Sequence, residues 1–164
     1  MAGTSRSEQI RVVEATPIID TSAYASGDSV GSSVIALSGA TMGDEGPSAE
    51  LYGGYIQSVI VTDLGKQSAN LDIVFFDKNP SATSFSDNNV FDINDADIVN
   101  IIGTVAITDW KDFNDNSQGQ ALNLTLPFVL EEGNTILYAA IVSRGVPNYD
   151  SAADLTLRVS VLSG

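Results

Sequence analysis

YIQSVIVTDLGKQSANLDIVFFD, residues 55–77, is the stretch that sets the fold class. It reads as two apolar β-strands, 55–63 and 71–77, joined by the polar segment 64–70. Side chains alternate across a strand. Ile56, Ser58, Ile60 and Thr62 are therefore expected on one face of the first strand, and Tyr55, Gln57, Val59 and Val61 on the other. In the second strand Leu71, Ile73 and Phe75 share a face, opposite Val74 and Phe76. Apolar residues on both faces predict strands covered on both sides, at the centre of a packed β structure.

Downstream, 135–143 repeats the two-sided pattern, with Ile136, Tyr138, Ala140 and Val142 against Leu137, Ala139 and Ile141. The segment 154–161 is one-sided: Leu155, Leu157, Val159 and Val161 alternate with Asp154, Thr156, Arg158 and Ser160. Two more strands are expected at 103–108 and 121–126, the second carrying Leu122, Leu124 and Leu126 and ended, or held at an edge, by Pro127. The segment 109–119 between them is an aspartate-rich loop containing Trp110. Upstream, 33–37 reads as a strand and 38–52 as a surface loop around Pro47. The run 78–84 is turn-forming, with Phe85 and Phe91 as anchors of a long crossing loop. One short helix is expected at 94–102, capped by Asn94 or Asp95, with Ile98, Ile101 and Ile102 on one face and Gly103 at its C-terminus. Residues 1–17 lack long periodicity, and Pro17 pushes Thr16 toward extended conformations, so they are read as an extended N-terminal arm. A single domain, 18–164, follows. About eight short strands, polar loops and little helix predict an all-β fold, an antiparallel β-sandwich that is jelly-roll-like.

The 164 residues carry 21 acidic and seven basic side chains, a net charge of −14. Such a chain is repelled by phosphate backbones and anionic lipid, so neither nucleic acid nor membrane is expected as a partner. No apolar run is long enough to span a bilayer, and none of signal-peptide length follows the first residues. There is no cysteine and no histidine. That removes disulfides, thiolate or imidazole metal ligands, and Ser–His or Cys–His nucleophile pairs. The expectation is a protein that is not an enzyme and needs no cofactor.

Two aspartate-rich segments, 92–97 and 112–117, superficially suggest calcium loops. In 92–97 Ala96 stands at the fifth position, Asp97 where glycine is needed, and Gly103 where a bidentate glutamate is expected. The segment 112–117 fails in the same way, so both read as turns and helix caps. Trp110 with Tyr24, Tyr52 and Tyr149 would suit a sugar-stacking patch, but aromatics in a β protein more often fill cores and interfaces.

The motifs Ile18-Ile19-Asp20-Thr21-Ser22-Ala23-Tyr24 with Gly27-Asp28 and Gly31, Ile56-Gln57-Ser58-Val59 with Lys66-Gln67, and Phe75-Phe76-Asp77-Lys78-Asn79-Pro80 carry a resemblance to a family. Phe85-Ser86-Asp87-Asn88, Asp95-Ala96-Asp97, Leu137-Tyr138 and Arg144-Gly145-Val146-Pro147 extend it over nearly all of the chain after the arm. The chain resembles the capsid cement, or decoration, proteins of tailed bacteriophages. The resemblance implies a virion structural protein on the outer capsid surface, made in the host cytoplasm and clamping neighbouring major capsid subunits as a homo-oligomer, a trimer. The arm supplies the expected capsid contacts: Arg6, Ile10, Arg11, Val12 and Val13. The alternative is a carbohydrate-binding β-sandwich module or host-surface adhesin.

Overall fold

The computed structural model describes residues 9–41 and 52–163. Its strands are β1 (Gln9–Ala15), β2 (Ser29–Ser38), β3 (Gly53–Asp63), β4 (Leu71–Phe76), β5 (Ile101–Ile107), β6 (Asp109–Asp112), β7 (Ser117–Ala121), β8 (Leu126–Val129), β9 (Ile136–Ser143) and β10 (Leu155–Ser163). They form a six-stranded sheet, ordered β1-β10-β3-β7-β6 with β8 also on β3, and a four-stranded sheet ordered β2-β9-β4-β5. All pairings are antiparallel. The pairs nest: β1 with β10, β2 with β9, β3 with β7 and β8, β4 with β5. First-with-last nesting, divided between two sheets, is the jelly roll. The antiparallel sandwich expected from the alternation is the fold observed.

The two strands of 55–77 lie in different sheets, β3 in the larger and β4 in the smaller. Their connection arches between layers, fastened by Asp63, whose Oδ2 accepts from the Gln67 and Ser68 amides at 2.8 and 2.9 Å. Ile56, Val59 and Val61 of β3 face Leu71, Ile73 and Phe75 of β4 in one core that includes Leu155, Leu157, Val159 and Val161 of β10.

Four expectations are corrected. The pairing of β3 with β10 shifts at Ser160/Val161, so Gln57 is extra and Ile56 faces the core with Val59 and Val61 instead of sharing a face with Ser58, and the opposite face of β3 is only partly covered, with Tyr55 50% exposed. The helix expected at 94–102 is a turn followed by a 3-10 segment, Ile98–Asn100, and Ile101 and Ile102 already belong to β5. Clustered β-branched isoleucine and valine favour the sheet there. The leucine strand at 121–126 breaks where Asn123 takes φ 57°, and pairing resumes as β8 through Pro127, on an edge strand. The aspartate-rich loop at 109–119 is a short hairpin, β6 with β7.

The outer face of the four-stranded sheet is covered by the crossing loop 77–97. Phe85, Phe91 and Ile93 pack over Val74, Phe76, Ala140 and Val142, forming a second apolar cluster. Polar latches hold this loop down. Asp87 Oδ1 accepts from Tyr24 Oη (2.7 Å) and from the Gly31 amide (2.8 Å), and Asp97 Oδ2 accepts from Thr83 Oγ1 (2.7 Å) and the Ala82 amide (2.9 Å).

Candidate docking surface

The expected arm does not stand apart from the domain. Residues 9–15 are β1, matched to β10 over seven consecutive positions from Gln9–Ser163 to Ala15–Leu157. In the nested order β1 is the first strand of the roll, so a boundary at residue 17 cuts through the sheet.

Alternation then divides the expected contact residues. Ile10 and Val12 point outward, 69% and 55% exposed, while Val13 is 8% exposed and belongs to the main core. Arg11 is turned inward with Val13, and its Nη1 donates to the Gly39 carbonyl at 3.4 Å. Val13 is therefore a core residue, a correction to its expected role, while Arg11 stays part-buried at the edge of the sheet. Arg6 lies outside the described residues.

Strand register joins Ile10 to residues that the arm reading did not name. Ile10 is opposite Leu162, Leu162 opposite Tyr55, and Tyr55 opposite Pro127. These four side chains form one lateral row across β1, β10, β3 and β8 on the outer face of the six-stranded sheet. Tyr55 is 50% exposed, and Val129, two positions beyond Pro127, is 75% exposed. With Val12 they make a patch about four strands wide and two or three residues long, on the order of 200–300 Å². Toward the other end the same face turns polar. Glu14 pairs with Arg158 (2.6 Å), Thr16 meets Thr156 (2.9 Å), and Asp109 binds Lys111 and Gln120 at 2.6 and 2.8 Å. Leu162 had a signal in the sequence, being an apolar residue in the outward parity of β10. Val129 was hidden because Pro127 argues against a strand continuing through it.

The buried acids do other work. Asp28, Asp63, Asp97 and Asp154 each accept backbone amides at a turn. Burial pushes the Asp63 carboxyl above its ordinary value, and Asp154 nearby adds to the shift. Burial, with the two carboxylates, also raises Tyr149, whose Oη has no partner. Tyr24 is raised by burial and by its bond to Asp87. An open groove of about 320 Å³, lined by 15–18 and 32–36, contains no ionisable side chain. Among the described residues no group of three or more acids converges as a metal site, and no helix is long and apolar enough to cross a membrane. The tyrosines weighed as sugar platforms, Tyr24, Tyr52 and Tyr149, are all buried, and Tyr24 and Tyr149 stack edge to face at 6.0 Å.

No protein-family model matches the chain, and no curated protein matches it.

Proposed function

We propose that the protein is a structural binder that docks through the outer face of its six-stranded sheet, and that its partner is the major capsid protein on the outer shell of a tailed-phage head. The observation that carries the docking is the apolar row Ile10–Leu162–Tyr55–Pro127 with Val12 and Val129, which no other described residue covers, on a protein whose other sheet face is covered by its own loop. The phage partner rests on the sequence resemblance. A jelly roll serves many functions, so the fold by itself does not choose among them. Glu14 and Arg158, at the polar end of this face, neutralise each other, and Glu131, two residues past Val129, is paired with Lys78. The patch thus offers apolar burial on a chain of net charge −14 that favours neutral or basic surroundings. At a few hundred Å² it is smaller than the roughly 800 Å² per partner of a stable pairwise interface. Cementing by several copies, as in a trimer bridging several subunits, supplies the remainder through multivalency.

The test is add-back to capsids lacking the protein. Tyr55→Lys combined with Val129→Lys should leave melting almost unchanged, since both sites are exposed, and lower capsid occupancy at least tenfold. Full occupancy by this variant would overturn the assignment of the face. Sedimentation checks the trimer, which a monomer at micromolar concentration, alone and on the capsid, would remove.

A further inference from the structure

Among the described residues the sandwich has five strand margins, and four of them are guarded. β6 is four residues long and contains Asp109, Lys111 and Asp112. β8 is equally short and contains Pro127. β2 loses its pairing with β9 between Val30 and Ile35, bent by Gly31 at φ 100°. β5 carries a bulge, Ile102 being extra where its pairing with β4 shifts between Phe75 and Phe76. Short length, charge, proline, bulges and coverage are the ways proteins keep sheet edges from pairing with other chains.

β1 uses few of them. It pairs with β10 over seven positions without a register shift, contains neither proline nor lysine, and among the described residues no strand pairs with its other side. Its single inward charge, on Arg11, is engaged by the Gly39 carbonyl. Its outward residues Ile10 and Val12 begin the apolar patch, so a strand added beside β1 extends the Ile10–Leu162–Tyr55–Pro127 row by one position.

We infer that the free edge of β1 accepts an extended segment of the partner, neutral or basic, with β-branched or other apolar side chains at the alternate positions opposite Ile10 and Val12. Backbone hydrogen bonds supply the attachment and the apolar row supplies the register. A second copy of β1 fits less well. A two-fold centred on Val12 sets Ile10 against the second copy's Glu14, and one centred on Arg11 sets two arginines face to face. Either also brings together two chains of net charge −14. The inference takes only the existence of a docking partner from the reading above.

Amide hydrogen exchange on the full chain tests it, with a short peptide alternating valine and threonine and carrying a lysine at each end as probe. In the isolated protein the β1 amides that do not face β10 should exchange with little protection. Millimolar peptide should slow them about tenfold, the factor 1 + [L]/Kd gives for a ligand at ten times its Kd. Ile10→Lys with Val12→Lys should abolish the slowing while leaving the fold intact, and a peptide with a central proline should not act. Three results would overturn the inference: free-edge amides already protected at every protein concentration, protection that grows with protein concentration alone, or no slowing by the peptide. Peptide protection of β1 with no binding to capsids would leave the acceptor edge standing and remove the capsid reading.

Discussion

The two outward faces of the sandwich begin with similar material and end differently. On the four-stranded sheet Val74, Phe76, Ala140 and Val142 turn away from the main core, and the chain lays Phe85, Phe91 and Ile93 over them. On the six-stranded sheet Ile10, Val12, Tyr55 and Val129 turn away from the core and stay exposed. Ordering a long loop costs about 1–2 kcal/mol per residue in backbone entropy. That cost is offset on one face by two partly buried phenylalanines and the Asp87 and Asp97 latches, and among the described residues it is not incurred on the other. An apolar face that the described residues leave open is available to a partner.

Removing residues 1–16 tests this contrast most severely. It strips β10 of a neighbour and opens the core at Val13, so a chain starting at Pro17 should lose its cooperative unfolding transition, measured by near-UV circular dichroism. A truncated protein melting within a few degrees of the full chain would make β1 an accessory to the six-stranded sheet. Phe76→Ala attacks the covered face. It should cost about 3–5 kcal/mol in urea unfolding, as for other fully buried aromatics. Asp97→Ala should cost about 1–3 kcal/mol by leaving the Ala82 amide and Thr83 hydroxyl unpaired. It should also raise binding of an apolar dye as the loop loosens, and unchanged dye binding would mean that the loop holds without this latch. Adjacent valines sharpen the comparison within one strand. Val13→Ala should cost about 2 kcal/mol, whereas Val12→Ala should stay within about 0.5 kcal/mol. Equal costs would show that β1 does not present one face to the core.

The smallest expected effect is one of pH. The folded-state pKa of Asp63 is raised above the ordinary 3.8 by burial, so the folded protein holds this proton more tightly than the unfolded chain. Its contribution to stability is present below pH 3.8 and is lost as the pH rises through the folded value. Asp63→Asn, which keeps a carbonyl for the Gln67 and Ser68 amides, should gain stability relative to the parent as pH increases across that window. A constant difference in melting temperature from pH 3 to pH 7 would mean that Asp63 titrates normally in the fold.

Regular strands were legible from the sequence because their signal is local. Leu155, Leu157, Val159 and Val161 face the core as their alternation requires, and so do Leu71, Ile73 and Phe75. The anchoring role of Phe85 and Phe91 was also readable, since two phenylalanines in a polar loop have to be buried somewhere. Strict alternation failed in β3 because the bulge at Gln57 comes from pairing with a distant strand. The choice between Val12 and Val13 was hidden for the same reason, since either could face inward until β10 sets the register. Asn94 does close a turn, accepting from the Asp97 and Ile98 amides, but pairing of Ile101 with Phe76 draws the chain into β5 before a helix can lengthen. The docking row was the least legible feature, because its residues come from four strands and meet only when the sheet is assembled.

The nesting of β1 against β10 also sets a schedule for synthesis. Thr16 and Thr156, which touch across that pair, are 140 positions apart. At about 5–20 residues per second, a ribosome takes roughly 7–30 s to deliver the second after the first. Throughout that interval β1 has been made and its permanent neighbour has not. Both of its edges are then open, on a sequence whose apolar alternate positions Ile10 and Val12 suit pairing with another apolar strand. Polysomes crowd identical nascent chains together, so the closing strand comes last to the segment with the most opportunity to pair wrongly. Slowing translation between β1 and β10 should therefore lower the soluble yield more than slowing it before β1 has been made.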